Sequence, residues 1–135
     1  MEFTLEPIGQ VESPLTERHQ APRQGDEGAP ESWLVFGEHV REGLRDLREG
    51  MDVLVFTWLD RADRKTLVVH PRGDATRPPQ GVFSTRSPDR PNPIGLHRVR
   101  IAAVEGLRMR VRDLEALDGT PVLDVKPVIG GAAER

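Results

Sequence analysis

The sequence has no cysteine and no tyrosine, and only 4% of its residues are aromatic. Without thiols, disulfide staples, thiolate metal sites and a cysteine nucleophile are all excluded. The scarcity of aromatics removes the stacking platform on which single-stranded RNA modules usually hold bases. No long apolar run occurs; the longest stretch, residues 53–59, is far too short to span a bilayer as a helix. Basic charge is not in excess either, since the formal net charge is −3. That total does not advertise a polyanion partner, although a local patch counts for more than the sum. Residues 1–6 carry neither a basic stretch nor an apolar core, which argues against a secretory leader. The expectation is a soluble, cytoplasmic protein.

Several chemical signatures are missing as well. There is no G-x-S-x-G elbow, no P-loop and no G-x-G-x-x-G fingerprint, so covalent acyl chemistry and dinucleotide binding of the usual kind are not indicated. The histidines, His19, His39, His70 and His97, fall in separate segments without metal-ligand spacing. Each is expected at the surface or half-buried, and no metal site is expected. What remains is a site that works by positioning and electrostatics.

The 135 residues suffice for one domain that buries roughly two-thirds of its unfolded surface. Short β-type runs separated by turn signals predict strands at 6–12, 33–36, 53–59, 66–70, 80–84, 96–103, 107–114 and 122–125. The fold class is therefore mainly β, a sandwich or barrel. One short helix is expected over 38–48, where Val40, Leu44 and Leu47 recur at helical spacing and Gly50 supplies a stop. Residues 17–31, rich in Pro, Gly and charge, read as a long loop of the kind that is usually functional or disordered.

One hairpin is specific enough to assign a register. Val99, Ile101 and Ala103 alternate with Arg98 and Arg100, while Leu107, Met109 and Val111 alternate with Arg108, Arg110 and Arg112. A three-residue loop, Val104-Glu105-Gly106, pairs Ile101 with Met109 and Val99 with Val111, keeping the faces separate. The five arginines then share one face. Such a face is either a phosphate-contacting patch or an ordinary solvated strand face balanced by acids, the usual condition of half-buried antiparallel strands.

The densest signal is the block Gly81-Val82-Phe83-Ser84-Thr85-Arg86-Ser87-Pro88-Asp89-Arg90-Pro91-Asn92-Pro93-Ile94-Gly95. Its prolines fix their own φ and push Ser87, Arg90 and Asn92 towards extended geometry. A stiff loop rich in donors is well suited to hold a ligand. Two other segments join it as candidates. One is Ala21-Pro22-Arg23-Gln24; the other is Leu117-Asp118-Gly119-Thr120-Pro121-Val122-Leu123-Asp124-Val125-Lys126-Pro127, which opens on a strong Asp-Gly turn signal. Asp124 and Lys126 share one face of the extended run that follows, either as site residues or as a simple ion pair.

These blocks, together with Ile8-Gly9-Gln10-Val11-Glu12-Ser13-Pro14, resemble the TsaA-like (YaeB, TrmO) family of S-adenosylmethionine-dependent tRNA methyltransferases. The likeness runs over nearly the whole chain, and the block from Gly81 to Leu96 is its most specific part. It implies a compact barrel-like domain that works as a homodimer, with the cofactor near the subunit interface. The implied reaction is N6-methylation of N6-threonylcarbamoyladenosine beside the anticodon of certain tRNAs. By motif, cofactor contacts would come from Pro22, Arg23, Gln24, Arg86, Leu96, Leu117, Asp118, Gly119 and Thr120. Asp60 and Arg61 fall where the family has another contact, although the pattern there often carries histidine. Arg23 or Arg86 suits the cofactor carboxylate, Asp60 or Asp118 its hydroxyls or ammonium, and Leu96 and Leu117 its adenine. Asp124 is the candidate base, with Lys126 tuning it or binding substrate; Arg90 and Asn92 either touch substrate or brace their turn. Contact with tRNA would use Arg98, Arg100, Arg108, Arg110 and Arg112.

The sequence departs from the family pattern in two places. Many relatives carry a C-terminal extension and a tyrosine after Lys-Pro, whereas here Val128 follows Pro127 and Arg135 is the last residue. Two further readings stand beside the first: the same fold methylating a small molecule or other RNA, and a non-catalytic module that binds S-adenosylmethionine.

Overall fold

The computed structural model describes residues 1–22 and 28–130. Among the described residues eight strands follow one another: β1 (Gly9–Glu12), β2 (Ser32–Phe36), β3 (Asp52–Trp58), β4 (Val68–Val69), β5 (Gln80–Gly81), β6 (Ile94–Glu105), β7 (Arg108–Arg112) and β8 (Pro121–Pro127). Six of them close into an antiparallel barrel in the order β1-β2-β7-β6-β3-β8, while β4 and β5 form a small separate ribbon. The mainly β, barrel-like expectation is borne out.

Period-two alternation builds the core. In β2, Leu34 and Phe36 point inward; in β3, Val53 and Val55 do; in β6 and β7, Val99, Ile101, Met109 and Val111 meet them. Burying a side chain of this size contributes about 2 kcal/mol. Small barrels need bends, and two register shifts supply them, one between Phe56 and Thr57 and one between Ile101 and Ala103. At the second, Ile101 and Ala102 are both buried, an interruption of the alternation.

That bulge corrects the expected hairpin register. Ile101 pairs with Val111 and Val104 with Met109, and the loop is the two-residue Gly106-Leu107 rather than Val104-Glu105-Gly106. Gly106 adopts φ +62, which suits the first position of a II′-class hairpin. The extra residue absorbed at Ala102 lets a shorter loop keep the arginines on the outer face, an outcome that period-two counting alone does not anticipate.

Several bounds also change. The expected helix over 38–48 is a 3₁₀ segment, Glu38–Leu44, and Asp46 at φ +74 turns the chain out of helical geometry. Val40, Leu44 and Leu47 nevertheless pack against the core. The expected strand 80–84 stops at Gly81 and continues as the 3₁₀ turn Val82–Ser84. The strand expected at 66–70 shrinks to β4. Among the described residues no helix is long and apolar enough to cross a membrane.

Candidate functional site

Strand polarity decides where the loops gather. Each strand of the barrel is antiparallel to its neighbours. The ends of β1, β3 and β7 and the starts of β2, β6 and β8 therefore lie at one rim. The connections β1–β2, β3–β6 and β7–β8 all emerge there. They contain the three segments singled out from the sequence, which are separated by tens of residues along the chain.

The proline-rich loop is held from within. The Arg90 guanidinium donates to the carbonyls of Thr85 at 3.0 Å, Ser87 at 2.9 Å and Val82 at 2.8 Å. Asp89 ties the loop to its neighbours: its Oδ1 accepts from the Asp63 N–H at 2.9 Å, and its carboxylate pairs with Arg18 at 3.3 Å. Arg64 donates to the Pro91 carbonyl at 2.7 Å and to Asn92 Oδ1 at 3.1 Å, and its guanidinium lies over the Trp58 ring. Arg90 and Asn92, two candidate substrate contacts, are thus engaged in bracing the turn.

Arg86 is placed differently. Its side chain is exposed and makes no ion pair or hydrogen bond with the described residues. It borders a cleft of ≈ 1330 Å³ at the loop-bearing rim, together with Pro22, Asp60, Arg61, Leu96, Leu117 and Thr120. Arg61 also donates to the Thr16 carbonyl at 2.6 Å, which fixes the β3–β6 connection to the β1–β2 connection. Asp118 and Gly119 are exposed and are not among the residues bordering the cleft. Asp118 Oδ1 accepts from the Ser13 N–H at 3.0 Å, its own N–H donates to Leu15 at 2.7 Å, and the turn closes from the Thr120 N–H to the Leu117 carbonyl at 3.1 Å. Arg23 and Gln24 lie outside the described residues.

Asp124 and Lys126 are not among the residues bordering the cleft. They form an exposed ion pair at 3.4 Å on β8. The arginine face is also ion-paired: Arg98 and Arg100 with Asp52, Arg108 with Glu12, and Arg110 and Arg112 with Glu31. Hydrogen bonds from Arg100, partly offset by desolvation, hold the Asp52 carboxyl below the usual carboxylate range. Arg108 and Arg110 also stack over Trp33. Three carboxylates thus meet five guanidiniums on this face.

One cluster was missed. His97, expected to be exposed or half-buried, is only 4% exposed. Its Nε2 lies 2.7 Å from the hydroxyl of buried Thr57, and its Nδ1 lies 2.6 Å from Glu115 Oε1. Thr57 and Glu115 thus hold the two ring nitrogens of His97 from opposite sides. The signal was present in the sequence. Alternation that turns Val99 and Ile101 inward also turns His97 inward when carried back two residues, and the same count along β3 buries Thr57. His97 and Glu115 both border the cleft.

Comparison with known proteins agrees with this arrangement. Residues 10–132 match the family described as tRNA-methyltransferase O N-terminal domain. An S-adenosyl-L-methionine-binding protein of Archaeoglobus fulgidus is 44% identical over 122 residues, covering 90% of this chain and 86% of its own. A probable S-adenosyl-L-methionine-binding protein of Methanothermobacter thermautotrophicus is also 44% identical, covering 94% of this chain and 90% of its own. The crystal structure of TrmO from Pseudomonas aeruginosa superimposes with a TM-score of 0.77 at 29% identity, covering all of this chain but only 61% of that one. This chain thus spans about three-fifths of the TrmO chain. With the barrel, the loop-built cleft and a match from residue 10 to residue 132, this chain belongs to the tRNA-methyltransferase O N-terminal domain family.

Proposed function

We propose that the protein is an S-adenosylmethionine-dependent methyltransferase acting on tRNA, with N6-threonylcarbamoyladenosine as the methyl acceptor. The observation that carries the reading is the cleft, where separate motif segments meet around Arg86, a guanidinium with no partner among the described residues. The donor set fits the cofactor. Arg86 offers a fork for a carboxylate, Leu96 and Leu117 offer apolar surface for a purine, and Asp60 offers an acceptor for hydroxyls. Arg23 and Gln24 join by motif alone, and Pro22 lies at the cleft edge.

When bound, S-adenosylmethionine supplies an electrophilic methyl group on a sulfonium. The task left to the protein is alignment, which is worth several kcal/mol when the reacting atoms are held at near-attack distance. No nucleophilic side chain is required. The internal bracing by Arg90 keeps the loop in one conformation before the ligand arrives, which lowers the entropic cost of binding.

Calorimetry with S-adenosylmethionine is the first test, followed by methyl transfer to tRNA that carries the threonylcarbamoyl group. Arg86→Ala is expected to weaken cofactor binding about tenfold or more, the effect of losing a charge-assisted pair, with an unchanged melting temperature. Absence of any heat of binding with the wild-type protein would sink the reading. Binding without transfer to such tRNA would instead favour a cofactor-binding module, the activity named for the two archaeal relatives.

We further propose a homodimer. Ile94 and Leu96 stand 46% and 38% exposed on the outer face of β6, opposite Trp58 and Phe56 of β3. Both also border the cleft, and an apolar sheet face that forms part of a ligand cleft is suited to a second copy that closes over it. A base role for Asp124, with Lys126 beside it, then requires that the pair reach the partner's cleft. Sedimentation at twice the chain mass is the expected result, and a monomer at micromolar concentration would remove this route for Asp124.

A further inference from the structure

Glu115 differs from the other carboxylates around the cleft. Asp52 is paired with Arg98 and Arg100, and Asp60 and Asp113 are exposed. Glu115 is 19% exposed, and among the described residues its salt-bridge contact is His97, whose other ring nitrogen meets the Thr57 hydroxyl. Glu115 Oε1 is committed to His97, while Oε2 has no partner among the described residues and is not sealed from the cleft. A half-buried carboxylate with one oxygen anchored and the other open to the cleft is placed to accept from a cationic donor.

We infer that Glu115, anchored by His97 and Thr57, is the receptor for the cationic part of the bound ligand. This rests on the cofactor reading above. S-adenosylmethionine carries two cationic centres, an α-ammonium and a sulfonium, and both are complementary to a fixed carboxylate. Glu115 would then be the negative counterpart of Arg86, and the cleft would recognise a zwitterion through two opposite charges. Glu115 touches the ligand. His97 and Thr57 are positioning residues that hold the carboxylate in one rotamer.

The test compares three ligands by calorimetry on the wild-type protein and on Glu115→Gln. S-adenosylmethionine has both cationic centres, S-adenosylhomocysteine has the ammonium only, and methylthioadenosine has neither. The amide retains an oxygen that accepts from His97 Nδ1–H, so an unchanged melting temperature is expected. The variant should bind S-adenosylmethionine about tenfold more weakly, the difference between a charge-assisted and a neutral hydrogen bond. Methylthioadenosine should bind both proteins alike. An equal loss for S-adenosylhomocysteine assigns the ammonium; sparing of that ligand assigns the sulfonium. Unchanged affinity for S-adenosylmethionine, or the same loss for methylthioadenosine, overturns the inference while leaving the cofactor reading intact. Should the Gln variant melt early, Glu115→Asp, which keeps the charge but withdraws the oxygen, is expected to show the same ligand ranking. If the wild-type protein binds none of the three, the cofactor reading falls and this inference falls with it.

Discussion

Gly95→Ala is expected to lower the melting temperature by about 10 °C. A β-carbon at Gly95 would lie 2.3 Å from Thr57 Oγ1 and 2.7 Å from His97 Nε2. Both atoms are buried and bonded to each other, so neither can retreat into solvent. Overpacking of this kind costs about 1–3 kcal/mol, and breaking the Thr57–His97 bond leaves a buried group unsatisfied at a similar cost. The sum is on the order of 3 kcal/mol, and each kcal/mol shifts the midpoint of a domain this size by roughly 4 °C. Thermal denaturation followed by circular dichroism measures it. Gly43→Ala is the control, because nothing lies within 4 Å of a β-carbon there. If the two variants melt together, the packing at the barrel rim is not as described. The same substitution displaces the imidazole that anchors Glu115, so ligand affinity should fall along with stability.

The second large effect is expected from Arg90→Lys, and it is a loss of function with little loss of fold. One guanidinium satisfies three carbonyls of a single loop. An ammonium is a point charge without the planar fork and cannot span the same three acceptors. Hydrogen bonds to a charged group contribute about 1.5–3 kcal/mol each, and losing even one or two lets the loop open locally. Affinity falls in proportion to the population that remains competent, so a variant loop whose open form lies about 2.7 kcal/mol below the competent one binds on the order of a hundredfold more weakly. The barrel does not depend on this loop, and its melting midpoint should move by only a few degrees. Hydrogen exchange of the amides from residue 82 to residue 93 offers a reading independent of any ligand. Wild-type protection there, together with wild-type affinity, would show that the prolines alone hold the loop.

The contrast between Arg86 and Arg90 shows how far the sequence goes. Both sit in the same motif, four residues apart, and both carry the same side chain. Their difference is one of direction. Arg90 turns back onto the carbonyls of its own loop, and Arg86 points into the cleft. Proline restricts the backbone of such a loop but does not say which guanidinium folds inward. The hairpin register failed for a related reason. Alternation correctly placed the arginines on one face, yet a single extra buried residue, Ala102, was enough to exchange a three-residue loop for a two-residue one. Bulges answer to the curvature of the closed barrel, which lies beyond any local window.

The sequence by itself determined the parity of each strand, and with it the apolar core, the outward arginines and, on a longer count, the inward Thr57 and His97. It also determined the stiffness of the loop from Gly81 to Gly95, because proline geometry is local and context-independent. Only the tertiary structure decided that three distant segments share one rim, since that follows from six antiparallel strands closing on themselves. Only it balanced Asp52, Glu12 and Glu31 against the arginines, and brought Glu115 to His97 across 18 residues of chain. Contacts of that separation depend on closure, and closure is a property of the whole barrel rather than of any one segment.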